Sequence, residues 1–202
     1  DLNGTATLSG EVFASGSTSV VWTITDIAGL SSTCSIVVTV SDSEAPVITC
    51  VTNQSRDTDA AVCTYTAIGT EFDPVSVTDN TGVSSLINDI NGSNTLAGEV
   101  FTTGVTTITW TATDTDLNTS SCSFDVTVSD NEAPTTPTLA DVTGECTATA
   151  VAPTTTDNCA GTITGTTTDA LTYSTQGTFV ITWNFDDGNG NDIDVTQNVI
   201  IS

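Results

Sequence analysis

The sequence predicts an all-β chain of tandem antiparallel β-sandwiches, and three observations carry that prediction. First, Ser41-Asp42-Ser43-Glu44-Ala45-Pro46 returns as Ser129-Asp130-Asn131-Glu132-Ala133-Pro134, a spacing of 134 − 46 = 88 residues. Running back from each copy without a gap, Phe13, Gly16, Trp22, Asp26 and Cys34 fall on Phe101, Gly104, Trp110, Asp114 and Cys122. A solenoid unit would be shorter, at about 20 to 47 residues. Second, β-branched and aromatic residues alternate with polar ones in short runs bounded by Gly, Asp, Asn and Pro, the pattern of half-buried strands. Third, helix signals are absent. A sandwich of roughly seven strands per unit satisfies all three.

The repeat divides the chain into residues 1–42, the C-terminal half of a unit, 43–130, a complete unit, and 131–202, a third unit. Trp183, Asp187, Val199 and Ile201 there take the places of Trp110, Asp114, Val126 and Val128. Each unit is expected to end in a hairpin. Its first strand presents Val20, Trp22 and Ile24, then Ile108, Trp110 and Ala112, then Phe179, Ile181, Trp183 and Phe185 to the core. Its second presents Cys34, Ile36, Val38 and Val40, or Cys122, Phe124, Val126 and Val128. Upstream strands are expected over Val47 to Val51, Val62 to Ile68, Cys146 to Ala152 and the Thr-rich run after Gly161. Asp1 aligns with Asp89 and Ser202 with Ser129, so the segment is expected to belong to a longer series whose neighbouring repeats are its first partners.

Charge narrows the function. Twenty-five acidic residues stand against one basic residue, Arg56, for a net charge of −24. Nucleic acid is excluded as a partner, because phosphate binding needs clustered Lys and Arg. Six Cys without His argue against zinc and for disulfides, which place the chain outside the cell or on its surface. No apolar run approaches the length of a membrane span, so no membrane insertion is expected in this segment. With neither His nor Lys, the usual nucleophile and base constellations are missing, and no enzyme is expected.

Phe101-x-x-Gly104, Trp110-Thr-Ala-Thr-Asp114, Cys122-Ser-Phe-Asp-Val-Thr-Val128 and the acidic Ala-Pro linker together resemble the hyalin repeat, or HYR domain. The resemblance implies an immunoglobulin-like fold in an extracellular protein. The Thr-rich, Lys-free, Cys-bearing style is also similar to repeats of giant surface adhesins of gliding Bacteroidetes, the SprB type. Where that pattern has its first and last Cys, the third unit carries Thr138 and Val195, and it gains Cys159 where the second unit has Thr81. Cys50 and Cys122, present together and lost together, are therefore expected to bond, and Cys146 to pair with Cys159. Cys34 is expected to need a partner in the missing front half of its unit. Cys63 is left odd, as a buried free thiol, with a Cys50 to Cys63 bond as the alternative.

In such a sandwich the entry linker, the loop between the second and third strands and the last hairpin loop gather at one end. For the second unit these supply Asp42, Glu44, Asp79, Asp114 and Asp116; for the third, Asp130, Asn131, Glu132, Asp157, Asp187 and Asn189. Calcium takes six to eight oxygens from carboxylates, amides and carbonyls, so both sets are expected to bind Ca2+, with Glu11 and Glu99 reaching in from the preceding unit. Asp and Asn are also ordinary turn residues. The expected function is a calcium-stiffened stalk segment of a secreted or cell-surface adhesin. A domain recognising surface glycans or proteins, or a subunit of an extracellular filament, is the alternative.

Overall fold

The computed structural model describes residues 7–202; Asp1 lies outside the described residues. No helix occurs among the described residues. The chain is all-β.

Strands β1 (Gly16–Thr25) and β2 (Ser31–Val40) form an antiparallel hairpin that sets Trp22 opposite Cys34. Next come β3 (Val47–Thr49), β4 (Gln54–Asp57), β5 (Thr64–Thr66), β6 (Ser76–Thr78), β7 (Val83–Asn88), β8 (Val100–Thr102), β9 (Gly104–Asp114) and β10 (Thr119–Ser129). They make a four-stranded sheet in the order β4-β10-β9-β7, with β3 pairing β6 and β5 pairing β8. The last group is β11 (Val142–Gly144), β12 (Ala148–Thr149), β13 (Thr154–Asp157), β14 (Gly161–Thr164), β15 (Thr172–Tyr173), β16 (Gly177–Asp186) and β17 (Asp192–Ile201). Here the sheet runs β11-β17-β16, beside the pairs β12–β15 and β13–β14. In both groups an early strand joins the last strand in parallel, β4 on β10 and β11 on β17.

The long strands follow from period-2 alternation, since shifting the register by one residue would turn every apolar side chain outward. In β9, Ile108, Trp110, Ala112 and Asp114 are all fully buried. In β16 the same face is Ile181, Trp183 and Phe185. Gly16, Gly104 and Gly177, which open the first hairpin strand of each unit, have φ of 106°, 112° and 147°. Side chains with a Cβ rarely adopt that backbone, which is why glycine recurs there.

The described contacts separate into two compact units. One comprises Asp1–Cys50, Pro74–Asn94 and Thr109–Ser123; the other Val51–Asp73, Thr95–Ile108 and Phe124–Ser202. In the first, Val20, Trp110 and Ala112 are buried, and Cys50 bonds Cys122 across 72 residues with Cα atoms 5.8 Å apart. The β1–β2 hairpin departs from the expected inward face: Ile24 and Ile36 are exposed, as is Cys34, and Trp22 is half-buried. Among the described residues this hairpin is a sheet of two strands that pairs with no third.

The second unit holds two apolar clusters. Phe72 packs against Phe101 edge-on at 5.4 Å and lies 6.1 Å from Tyr65 and 6.4 Å from Phe124. Further along, Ile181, Trp183, Phe185, Val199 and Ile201 form a core with Ala148, Ala150 and Ile163. Trp183 Nε1 donates to Gln197 Oε1 at 3.0 Å, satisfying the one polar atom this ring buries. The cysteines here correct the expected pairing. Cys159 bonds Cys63, not Cys146, and Cys146 is an exposed free thiol. Cys63 is therefore no buried free thiol. The swap pattern compared cysteines within a repeat, whereas this bond joins loops 96 residues apart that only the fold brings together.

Candidate metal centres

Two groups of side chains converge closely enough to share one cation. In the first unit, carboxylate oxygens of Asp42, Asp79 and Asp114 all lie within 4.8 Å of one another. In the second, the same holds for carboxylate oxygens of Asp130 and Asp157 with Cys159 Sγ. The first group draws on three kinds of loop and the second on the first two of them, although the third kind recurs beside it.

The linker acid comes first. Asp42 Oδ1 accepts the Glu44 N–H at 3.0 Å, and Asp130 Oδ1 accepts the Glu132 N–H at 3.2 Å. The Asp-Asn loop comes next. Asp79 Oδ1 accepts the N–H groups of Thr81 and Gly82 at 2.8 and 2.9 Å, and Asp157 Oδ1 those of Cys159 and Ala160 at 2.7 and 2.8 Å. The hairpin acid comes third. Asp114 Oδ1 accepts Asp116 and Asn118 N–H groups, and Asp187 Oδ1 those of Asn189 and Asn191, while Asn118 and Asn191 Nδ2 donate to the respective Oδ2 atoms at 2.7 Å. Asp26 closes its loop in the same way on Ala28 and Leu30.

These bonds occupy one oxygen of each Asp-Asn loop acid and leave the other bare. Asp79 Oδ2 and Asp157 Oδ2 are buried and have no hydrogen-bond partner, although Asp157 as a whole is only 9% exposed. A buried carboxylate oxygen without a donor or cation is costly to desolvate. Asp157 also lines a cleft with Ala61, Glu132, Ala133, Thr135 and Asn158.

The remaining expected ligands divide. Glu44 Oε2 takes the Asn80 amide at 3.3 Å, and Asp116 is exposed, with Ser15 Oγ at 3.5 Å from both its oxygens. Glu132 Oε2 accepts the Ala61 N–H at 2.9 Å and Asn158 Nδ2 at 2.7 Å. Asn189 Nδ2 donates to Asp130 Oδ2 at 3.1 Å, and Asn131 donates to Asp57 instead. Asp187, Glu11 and Glu99 join neither group. Sequence reading missed Thr81, whose hydroxyl donates to Asp42 Oδ2 and Asp79 Oδ1, each at 2.9 Å. The shared Asp-Asn-Thr and Asp-Asn-Cys pattern was its signal.

Asp42 and Asp187 are held below the ordinary carboxylate pKa. For Asp42 the Glu44 N–H contributes most, then the Thr81 hydroxyl. At Asp187, burial pushes upward but is outweighed by the Asn191 amide and the N–H groups of Asn189 and Asn191. Both stay anionic at neutral pH, as a hard cation requires.

The HYR domain family matches residues 41–128. No curated protein matches the chain. Among solved structures it is similar to protocadherin gamma-B7 domains EC3–6, at 14% identity over 93% of this chain and 58% of that one, with a TM-score of 0.34. It is similar also to a Ca2+-stabilised adhesin that helps an Antarctic bacterium bind ice, at 18% identity, 93% and 57% coverage and a TM-score of 0.32. The human desmocollin-1 ectodomain follows at 12% identity, 86% and 40% coverage and a TM-score of 0.28. The chain thus spans less than two thirds of each of these structures.

Proposed function

We propose that this chain, in which residues 41–128 are an HYR domain, is a stalk segment of an extracellular adhesin whose repeats, 1–42, 43–130 and 131–202, are stiffened by calcium. One observation carries the reading: at equivalent places in two successive repeats, an Asp-Asn loop acid keeps a buried oxygen unpartnered beside a second carboxylate. Asp42, Asp79 and Asp114 would hold one ion, and Asp130 and Asp157 another, with amide and carbonyl oxygens or water completing the six to eight ligands that calcium takes. The ion would neutralise acids of the linker and of the domain that follows it, turning mutual repulsion into a joint. The chain's own hydrogen bonds fix Oδ1 of Asp79 and Asp157 and leave Oδ2 of each unpartnered, while both oxygens of Asp42, Asp114 and Asp130 are already held, so little ordering is left for the ion to impose.

The role is structural. A chain without His or Lys, carrying its acids at recurring joints, has the composition of a spacer and not of a catalyst. Small-angle scattering of the chain in calcium and in chelator tests the stiffening. A narrower spread of dimensions in calcium is expected, and identical profiles would overturn it. A second reading, a ligand-binding adhesive domain, is favoured by a hydroxyl-rich groove lined by Thr166, Thr167, Thr168, Asp169, Thr182 and Asn184. Glycan-array binding lost on Asp169→Ala would support that reading.

A further inference from the structure

We infer that the Cys63–Cys159 disulfide is a positioning element for the cation site at Asp130 and Asp157, so that this site alone weakens on reduction and calcium in turn protects this disulfide. The inference rests on the calcium reading above and adds a regulation to it.

Cys159 is built into the site. Its N–H donates to Asp157 Oδ1 at 2.7 Å, and its Sγ lies within 4.8 Å of carboxylate oxygens of Asp157 and Asp130. As a disulfide sulfur it carries no negative charge, and calcium takes oxygen, so it is a wall of the site and not a ligand. Cys63, at the other end, belongs to a loop held by Glu132 and Asn158, which stand beside those two acids. The Ala61 N–H donates to Glu132 Oε2, whose own N–H donates to Asp130 Oδ1, and Asn158 Nδ2 donates to Val62 O at 3.1 Å. The disulfide therefore closes a ring that runs from Asp130 through Glu132, Ala61, Cys63 and Cys159 to Asp157. Ala61 sits at φ 62°, a conformation an L-residue keeps only where its surroundings impose it. Opening the ring frees two carboxylates that repel each other to move apart.

The other group provides a natural contrast. Thr81 occupies the place of Cys159 and anchors Asp42 and Asp79 through its hydroxyl, with no covalent link. Reduction of Cys63–Cys159 should leave that site unchanged. Groups that orient metal ligands typically change affinity by about 10- to 100-fold when removed. Linkage is reciprocal, so calcium must favour the disulfide over the dithiol by the same factor by which the disulfide favours calcium.

The test uses the full chain in buffers of dithiothreitol and its oxidised form, with each cysteine pair quantified by alkylation and mass spectrometry. The reagent dithiol gives two electrons and two protons to the S–S bond and becomes a cyclic disulfide, leaving Cys63 and Cys159 as thiols. Saturating calcium should raise the dithiol-to-disulfide ratio needed for half-reduction of Cys63–Cys159 by about tenfold or more. The shift should persist in Asp79→Asn and vanish in Asp157→Asn. In calorimetry, Cys63→Ser with Cys159→Ser should weaken the Asp157-dependent calcium site by the same factor and spare the Asp79-dependent one. An unshifted half-reduction point, with calcium still bound at Asp157 in the oxidised chain, would overturn the inference and leave the calcium reading standing. No calcium binding by the oxidised chain would overturn both. If the serine variant does not fold, the redox titration of the native chain still decides.

Discussion

Arg56, the one basic side chain, is spent on packing and not on a ligand. Its Nε and Nη2 donate to Glu71 Oε2 at 3.0 and 2.7 Å, and its guanidinium lies 5.3 Å from the centre of the Phe72 ring and 5.9 Å from that of Tyr65. Glu71 Oε1 takes the Tyr65 hydroxyl at 2.6 Å and the Ile68 N–H at 2.7 Å. Burial acts to raise the Glu71 pKa, but the Ile68 N–H, the Tyr65 hydroxyl and Arg56 outweigh it and hold the group below 4.5. A depressed folded value means stability that is complete above the unfolded value and lost as pH falls through the folded one. Glu71→Gln should cost about 1–3 kcal/mol at pH 7, read as a lower urea midpoint. The gap from the native chain should shrink as pH drops below 4.5. Nothing in the sequence pointed to this pair, because Glu71 lies in a loop 15 residues from Arg56 and only the β5 and Phe72 packing brings them together.

At the scale of the element, the hairpin loops explain why acids recur there even without a cation. Asp26, Asp114 and Asp187 each bind two N–H groups of their own loop, and Asp114 does so fully buried. Asp114→Ala, measured in chelator, should lower stability by about 1–3 kcal/mol by stranding those donors. Exposed Asp116→Ala should stay within about 0.5 kcal/mol. Turn chemistry and the proposed cation site thus share Asp114, and spacing alone could not separate the two roles. The long strands β9, β10, β16 and β17 were legible because alternation over ten residues or more leaves one register. Strands of three or four residues such as β4, β6 and β8 were not, since partners distant in sequence define them. Cys50 and Cys122 close 72 residues, so their joint replacement by Ser should cost about 4 kcal/mol in the chain-entropy model, visible as a lower denaturant midpoint.

For the whole molecule, a net charge of −24 with one basic residue makes the folded chain repel itself. Calcium should therefore raise the melting temperature beyond what sodium chloride of equal ionic strength achieves, since salt only screens while a bound ion adds its binding free energy. The candidate sites were legible in part: the junction acids that converge were, but the division between bare and committed oxygens was not, because it depends on which loop N–H groups each carboxylate meets. Isothermal calorimetry of calcium into the full oxidised chain is the most direct measurement. Two sites are expected in the range of about 10⁻⁴ to 10⁻³ M, one lost in Asp79→Asn and the other in Asp157→Asn. Absence of binding heat, or binding indifferent to both substitutions, would contradict a role for calcium at these joints.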